Sequence, residues 1–250
     1  MGKNAMMLRW FACLILLVGL LAAKGADAQS DFAAGNKAYE QGRFAEAATH
    51  YRAALTNGMA GEGTWFNLGN AEFKAGRLGP AIVAYRRAEQ ITPRDAALRA
   101  NLHFARKKAT GEDDPVAPLT FQILRFLTFN EWTGLAGGII SALFLVLAAA
   151  EMRGVRAGRG SISLFALLAV GFSAGTAGSY FDRNLRREGV VIVKQSAVRF
   201  GPLEDSQTAF QLNEGVEVQV TEATAEWLQI RDERDRAGWT RRRDITLVLP

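Results

Sequence analysis

The chain has 250 residues, of which 49% are hydrophobic and 22% charged, with a single cysteine and a formal net charge of +5. That is enough apolar material for one or two packed domains and too little cysteine for a disulfide scaffold, and it excludes a disordered or collagen-like chain. A mean hydropathy of 0.00 beside a pI near 9.6 averages over segments of opposite character.

Lys3 and Arg9 precede an apolar run from Trp10 to Ala23, and Ala26-Asp27-Ala28 sets small residues before Gln29. Basic, apolar and small-residue zones in that order form a secretory leader, here residues 1–28. A retained first transmembrane helix is the alternative, but a run of 14 residues falls short of the ~20 needed for a ~30 Å hydrocarbon core. Cys13 lies within the run, so cleavage leaves no cysteine for a disulfide, a thiol nucleophile or a thiolate metal ligand.

A repeat follows. Gly35, Gly42, Ala47, Tyr51 and Ala54 recur 34 residues later as Gly69, Gly76, Ala81, Tyr85 and Ala88, and Asn67-Leu68 recurs as Asn101-Leu102. Small residues let paired helices approach, Trp65, Leu68 and Tyr85 fill the space between them, and Pro93 stops the second helix. The pattern predicts helical hairpins over 31–55 and 65–91 and a third helix over 95–108, whose basic Arg106-Lys107-Lys108 end suits a terminal cap. With Trp65, Leu68, Gly69, Gly76, Ala81, Tyr85, Ala88 and Pro93 at these offsets, residues 29–110 resemble the tetratricopeptide (TPR) family. That resemblance implies a concave groove for peptides or partner proteins, lined by Phe32, Asn36, Tyr39, Phe66, Asn67, Asn70 and Phe73. Carboxylate clamping is unsupported, because Phe32, Ala97 and Asn101 stand where that mode has basic residues. Peptide binding and simple bonding of the asparagines to neighbouring backbone remain alternatives.

Residues 111–131 read as a linker followed by an interfacial or re-entrant helix, since the apolar stretch Leu119 to Phe129 is short and contains Arg125. Trp132 to Ala150 and Ser161 to Phe181 then give 19 and 21 residues without a charge, each long enough to cross a bilayer. The connection 151–160 carries Arg153, Arg156 and Arg159, which favours the cytoplasmic side, whereas Arg183, Arg186 and Arg187 pull the other way. The leader decides the orientation: both ends lie outside, with Trp132 and Tyr180-Phe181 at one interface. Gly134, Gly138, Gly171 and Gly175 offer close-packing faces, within the hairpin or toward another membrane protein.

From Gly189 the pattern alternates with period two. Val216, Val218 and Val220, then Leu228 and Ile230, are separated by turns at Gly201-Pro202, Asn213 to Gly215 and Asp232 to Asp235, with Trp227 and Trp239 as large core candidates. Five short strands over 189–250 suit a small barrel. Ala197-Val198-Arg199-x-Gly201-Pro202, Leu212-x-Glu214-Gly215-Val216-x-Val218 and Ala237-Gly238-Trp239-Thr240 resemble the bacterial SH3 family, where valine is commoner than Thr240. The resemblance implies binding of cell-wall peptides or protein contacts. This segment holds 8 basic and 10 acidic residues, so Arg241-Arg242-Arg243 reads as a solvated or membrane-facing edge and not as a nucleic-acid patch.

No hydrolase triad, zinc-protease motif or phosphate loop occurs, and His50 and His103 stand alone on predicted helices. The expectation is a multidomain protein without catalytic residues, metal or cofactor: an all-α repeat, a two-helix transmembrane hairpin and a small all-β barrel. That order resembles the E-type proteins of bacterial aerotolerance (Bat) operons, which implies an inner-membrane scaffold with its two modules on the periplasmic side. The resemblance also implies partners such as membrane-anchored von Willebrand A-domain proteins and a MoxR-type ATPase system. A wall-binding or wall-sensing protein that takes peptidoglycan peptides through the barrel is the alternative.

Overall fold

A computed structural model describes residues 25, 27–113, 118–154, 158–185 and 187–249. The expected leader lies outside them except for Gly25, Asp27 and Ala28, as do Asp114, Pro115, Arg156 and Arg186. Helix α1 covers residues 27–40. It is followed by α2 Phe44–Thr56, α3 Glu62–Lys74, α4 Leu78–Glu89 and α5 Ala96–Thr110. These are two antiparallel hairpins and a third helix, close to the predicted bounds.

The 34-residue period has a direct physical cause. Gly42 and Gly76 take positive φ of 74° and 78°, where only glycine is unstrained. At each, the chain ends a helix the same way: Arg43 N–H bonds Ala38 O at 2.9 Å and Arg77 N–H bonds Glu72 O at 2.9 Å, the wrap-around pattern of a glycine C-cap. Inside the hairpins, Gly35 faces the Tyr51 ring and Gly69 faces the Tyr85 ring so closely that a Cβ at Gly69 would stand 2.5 Å from Tyr85 Cδ1. Asp95 starts α5 by accepting from Leu98 N–H at 2.7 Å, a favoured N-cap.

Helix α6 Leu119–Phe126 buries no residue; it ends sooner than the apolar run because Leu127 is extended and Thr128 begins a capping box with Glu131. Two long helices follow, α7 Phe129–Met152 and α8 Arg159–Leu185. Both are long and apolar enough to cross a membrane. They pack antiparallel, and the start of α7 and the end of α8 both adjoin α6. Trp132 is buried there: its indole N–H donates to Leu124 O at 3.1 Å, and its ring fills the site where Gly175 lacks a side chain. Trp132, expected at a membrane interface, has its ring packed where α6, α7 and α8 meet.

The C-terminal part is one antiparallel sheet with order β3-β2-β6-β5-β4-β1-β7. Its strands are β1 Arg187–Val191, β2 Gln195–Arg199, β3 Thr208–Asn213, β4 Glu217–Ala223, β5 Trp227–Arg231, β6 Ala237–Arg241 and β7 Ile245–Leu247. Seven strands replace the five expected, because β1 begins at Arg187 straight after α8 and pairs with both β4 and β7. Val191, Val198, Leu212, Val220, Leu228, Ile230 and Ile245 form one core, so the sheet curls around its inner face. The tryptophans lie outside that cluster, although Trp227 is itself buried. Leu228 and Ile230 point inward, and the pleat therefore turns Trp227 to the opposite face, where the Arg241 guanidinium covers it at 4.3 Å. Trp239 is paired with Gln229 and shares that outer face; Gly238 takes the inner position because it lies against Val198 and the backbone of Arg199.

The helical layer and the sheet are not separate bodies. Val190 and Val248 belong to the same buried cluster as Ile82, Tyr85, Leu98 and Leu102. Gly79 approaches the backbone of Val191 and Ile192 with no room for a side chain, and its N–H donates to Glu214 Oε1 at 3.1 Å. Arg87 donates to the carbonyls of Leu247 and Val248, each at 3.0 Å.

Two substitutions in one helix separate packing from propensity. Gly69→Ala overpacks Tyr85 and should lower stability by about 1–3 kcal/mol. Gly63→Ala, with open space around it, should be neutral or stabilising by up to about 1 kcal/mol. Denaturant unfolding followed by circular dichroism reads both.

Candidate interaction surfaces

The asparagines expected to line a groove form a ladder. Tyr51 OH donates to Asn36 Oδ1 at 2.8 Å, and Asn67 Nδ2 reaches the same oxygen at 3.5 Å. One repeat on, Tyr85 OH donates to Asn70 Oδ1 at 2.7 Å, and Asn101 Nδ2 donates to it at 3.0 Å. Burial pushes the Tyr51 phenol up to about 12, with Tyr39 and Glu40 adding to it, so it stays a donor. Asn36, Asn67 and Asn70 thus join successive helices through side chains, not through the backbone.

The aromatic groove candidates divide. Phe32 packs on Tyr51 at 5.7 Å, Tyr39 on Phe44 at 5.2 Å and Phe66 on Tyr85 at 6.1 Å between ring centroids. Phe73 differs. It pairs at 5.6 Å with Phe104 of α5, which is 60% exposed, and Lys108 Nζ stands 4.8 Å from its ring centroid. Exposed Phe104 over half-buried Phe73, beside an ammonium, offers a surface suited to acidic or aromatic groups. Of the four glycines expected to pack helices, Gly175 lies against Trp132, whereas Gly134, Gly138 and Gly171 have open space where a Cβ would be.

A charge network joins the modules, and the sequence reading missed it. Arg86 on α4 is 3% exposed. Its Nη1 donates to Glu89 at 2.6 Å, Nη2 to Glu188 of β1, and Nε lies 3.1 Å from Glu217 of β4. Arg106 of α5 grips both oxygens of Glu217 at 2.5 and 3.1 Å. Arg125 of α6 bonds Asp182 at 3.0 Å and Glu188 at 2.9 Å. Burial alone would lower the Arg86 pKa, but Glu217, Glu188 and Glu89 outweigh it and hold the guanidinium charged. Burial likewise pushes Glu188 up, and Arg86 and Arg125 more than reverse this, leaving it below the ordinary glutamate range.

The only sequence signal was the period itself. Arg52 and Arg86 are one repeat apart, and Arg52 pairs with Glu72, which is buried and also held by Arg77. At the other end of the helical layer, Arg94 donates to Glu131 at 2.5 Å and to Phe126 O at 3.0 Å, fixing the α6–α7 junction.

In the sheet, Thr240 is fully buried, its hydroxyl 2.5 Å from Ser196 Oγ, which bonds Asp244 at 3.0 Å. A polar residue is tolerated inside because it is satisfied. Residues 193–246 match the bacterial SH3 domain. The match begins after β1, so the strand that carries Glu188 precedes the matched region. No curated protein matches the chain. Arg241 of the SH3 domain is engaged with Glu204, Glu226 and the Trp227 ring, whereas Arg243 is solvent-exposed. His50 lies 3.8 Å from Asp31 and His103 3.5 Å from Asp113. Among the described residues no three His, Cys, Asp or Glu side chains group as metal ligands.

The depressed Glu188 fixes a pH dependence. An unfolded glutamate titrates near ~4.3, so the network contributes its full stability above that value and loses it as pH falls through the lower folded value. Glu188→Gln should reduce stability at pH 7 by about 1.5–3 kcal/mol and flatten the remaining loss on acidification. Thermal unfolding across about pH 3 to 7, spanning the reference value, measures both.

Proposed function

We propose that the protein is a non-enzymatic, membrane-anchored scaffold that holds partner proteins beside the bilayer. The observation that carries this reading is the joining of three modules in one body: a helical repeat, an SH3 domain and two apolar helices whose sides are uncovered. Phe144, Leu145, Leu164 and Leu167 project from α7 and α8 into the surroundings. An apolar surface of that extent is not stable in water and suits hydrocarbon. The hairpin leaves and re-enters at the end where both modules sit, so both are presented on one side of the membrane; the leader-like start assigns that side to the periplasm.

The 34-residue period, the glycine–tyrosine contacts and the asparagine ladder support a TPR reading of the helical layer. Its partner surface is the Phe73–Phe104–Lys108 patch, with Phe66 and Asn70 beside it. The resemblance to E-type aerotolerance-operon proteins makes membrane-anchored von Willebrand A-domain proteins and a MoxR-type ATPase system the first partners to examine. The SH3 match favours a second reading, in which the domain holds peptidoglycan peptides; exposed Phe200 and Leu203 between β2 and β3 are the apolar side chains it leaves for a ligand.

Purification of the intact protein in detergent tests the two. A chain that copurifies with the wild type should fall about tenfold with Phe73→Ser/Phe104→Ser, while flotation with phosphatidylcholine vesicles is unchanged. Retention of the protein on purified sacculi, with no chain lost on substitution, would instead support wall binding.

A further inference from the structure

A cleft of about 570 Å³ opens between α4–α5 on one side and α6, the start of α7 and the end of α8 on the other. That is within the usual range for ligand sites. We infer that it binds the phosphate headgroup of an anionic phospholipid, with the acyl chains running down beside α6 and α8. This rests on the reading of α7 and α8 as membrane spans.

Depth is the first argument. Phe129 begins the first apolar helix and Asp182 ends the second, and both line the cleft. If the helices cross a bilayer, the cleft lies where lipid headgroups lie. Charge is the second. Five arginines and two carboxylates line it; Arg86, Arg106 and Arg125 are held by Glu89, Glu188, Glu217 and Asp182, so Arg94 and Arg99 are the cations it offers a ligand. Arg99 has no side-chain partner among the described residues. Arg94 pairs with Glu131 across an ion pair in which both side chains are well exposed and also donates to Phe126 O. Such pairs contribute little, so a phosphate can share Arg94 at small cost. The guanidinium fork suits phosphate oxygens in a way an ammonium does not.

The third argument is the change of character across the cleft. Phe121, Phe126 and Phe129 lie on its α6–α7 side. On the outside of α6, Leu119 is 69%, Ile123 52% and Phe126 63% exposed. Arg94 and Arg99 on one wall, and phenyl rings beside the already paired Arg125 on the other, match a headgroup and its chains. Free phosphate would use only the first wall. Basic pockets of this kind between membrane helices are established sites for anionic headgroups.

The test uses the intact protein reconstituted in phosphatidylcholine alone and in equal parts phosphatidylcholine and phosphatidylglycerol, with bound lipid read by native mass spectrometry. Wild type should retain phosphatidylglycerol over phosphatidylcholine, and Arg99→Gln should reduce that preference about fivefold, with Arg94→Gln reducing it further. Among the described residues Arg99 bonds no side chain, so its loss does not threaten folding. Insertion without a preference, or a preference that both variants keep, overturns the cleft and leaves the membrane reading intact. Failure to float with phosphatidylcholine vesicles overturns both. Inorganic phosphate that raises the thermal midpoint as much as phosphatidylglycerol does would assign recognition to the anion alone and overturn the lipid assignment.

Discussion

A guanidinium taken out of water must be matched by carboxylates with good geometry, because an uncompensated buried charge costs several kcal/mol. Arg86 bonds carboxylates of its own helix and of β1 through Nη1 and Nη2, while its Nε lies 3.1 Å from Glu217 of β4 without a hydrogen bond. Two of those carboxylates are shared, Glu217 with Arg106 and Glu188 with Arg125. The network therefore spans α4, α5, α6, β1, β4 and the end of α8, where Asp182 receives Arg125. Moving any one module away would strand a charge in the others. The apolar contact of Val190 and Val248 with Ile82 and Leu98 supplies adhesion, while the charges fix the register.

This coupling gives the hairpin a definite relation to the rest of the chain. The Arg94–Glu131 pair anchors its entry, the Arg125–Asp182 pair its exit, and Trp132 fills the space between. A partner seated on the Phe73–Phe104 patch would be held at a set height above the apolar helices. The same geometry leaves a cleft at the level where those helices begin, with arginines on one wall.

Much of the helical layer was legible in the sequence because its determinants are local. Gly42 and Gly76 must adopt positive φ, Gly69 must admit Tyr85, and both demands recur every 34 residues. The two apolar helices were legible from length alone. Strand count was not, since β1 shares its first residues with the basic stretch after α8. The tryptophans divide: Trp227 is buried as its size suggests, though under Arg241 on the face opposite Leu228 and Ile230, because period two does not say which face is inside; Gly238 takes the inner position beside Trp239. The asparagines left two readings open in the sequence, because the partners of Asn36 and Asn70 are tyrosines 15 residues away and that of Asn67 is Asn36, 31 residues away. The Arg86 network was least legible: Glu188 is 102 residues distant, and nothing local distinguishes Arg86 from Arg87. Only its repeat partner Arg52, itself paired with buried Glu72, carried a hint.

The claim that the modules form one body through Arg86 is tested most directly by hydrogen exchange of the intact Arg86→Leu variant. The account predicts that amides of α4, β1 and α6 lose protection together, with the loss carried into β4, while α1 and α2 are unchanged. Unaltered protection in β1 and α6, with any loss confined to α4, would contradict it.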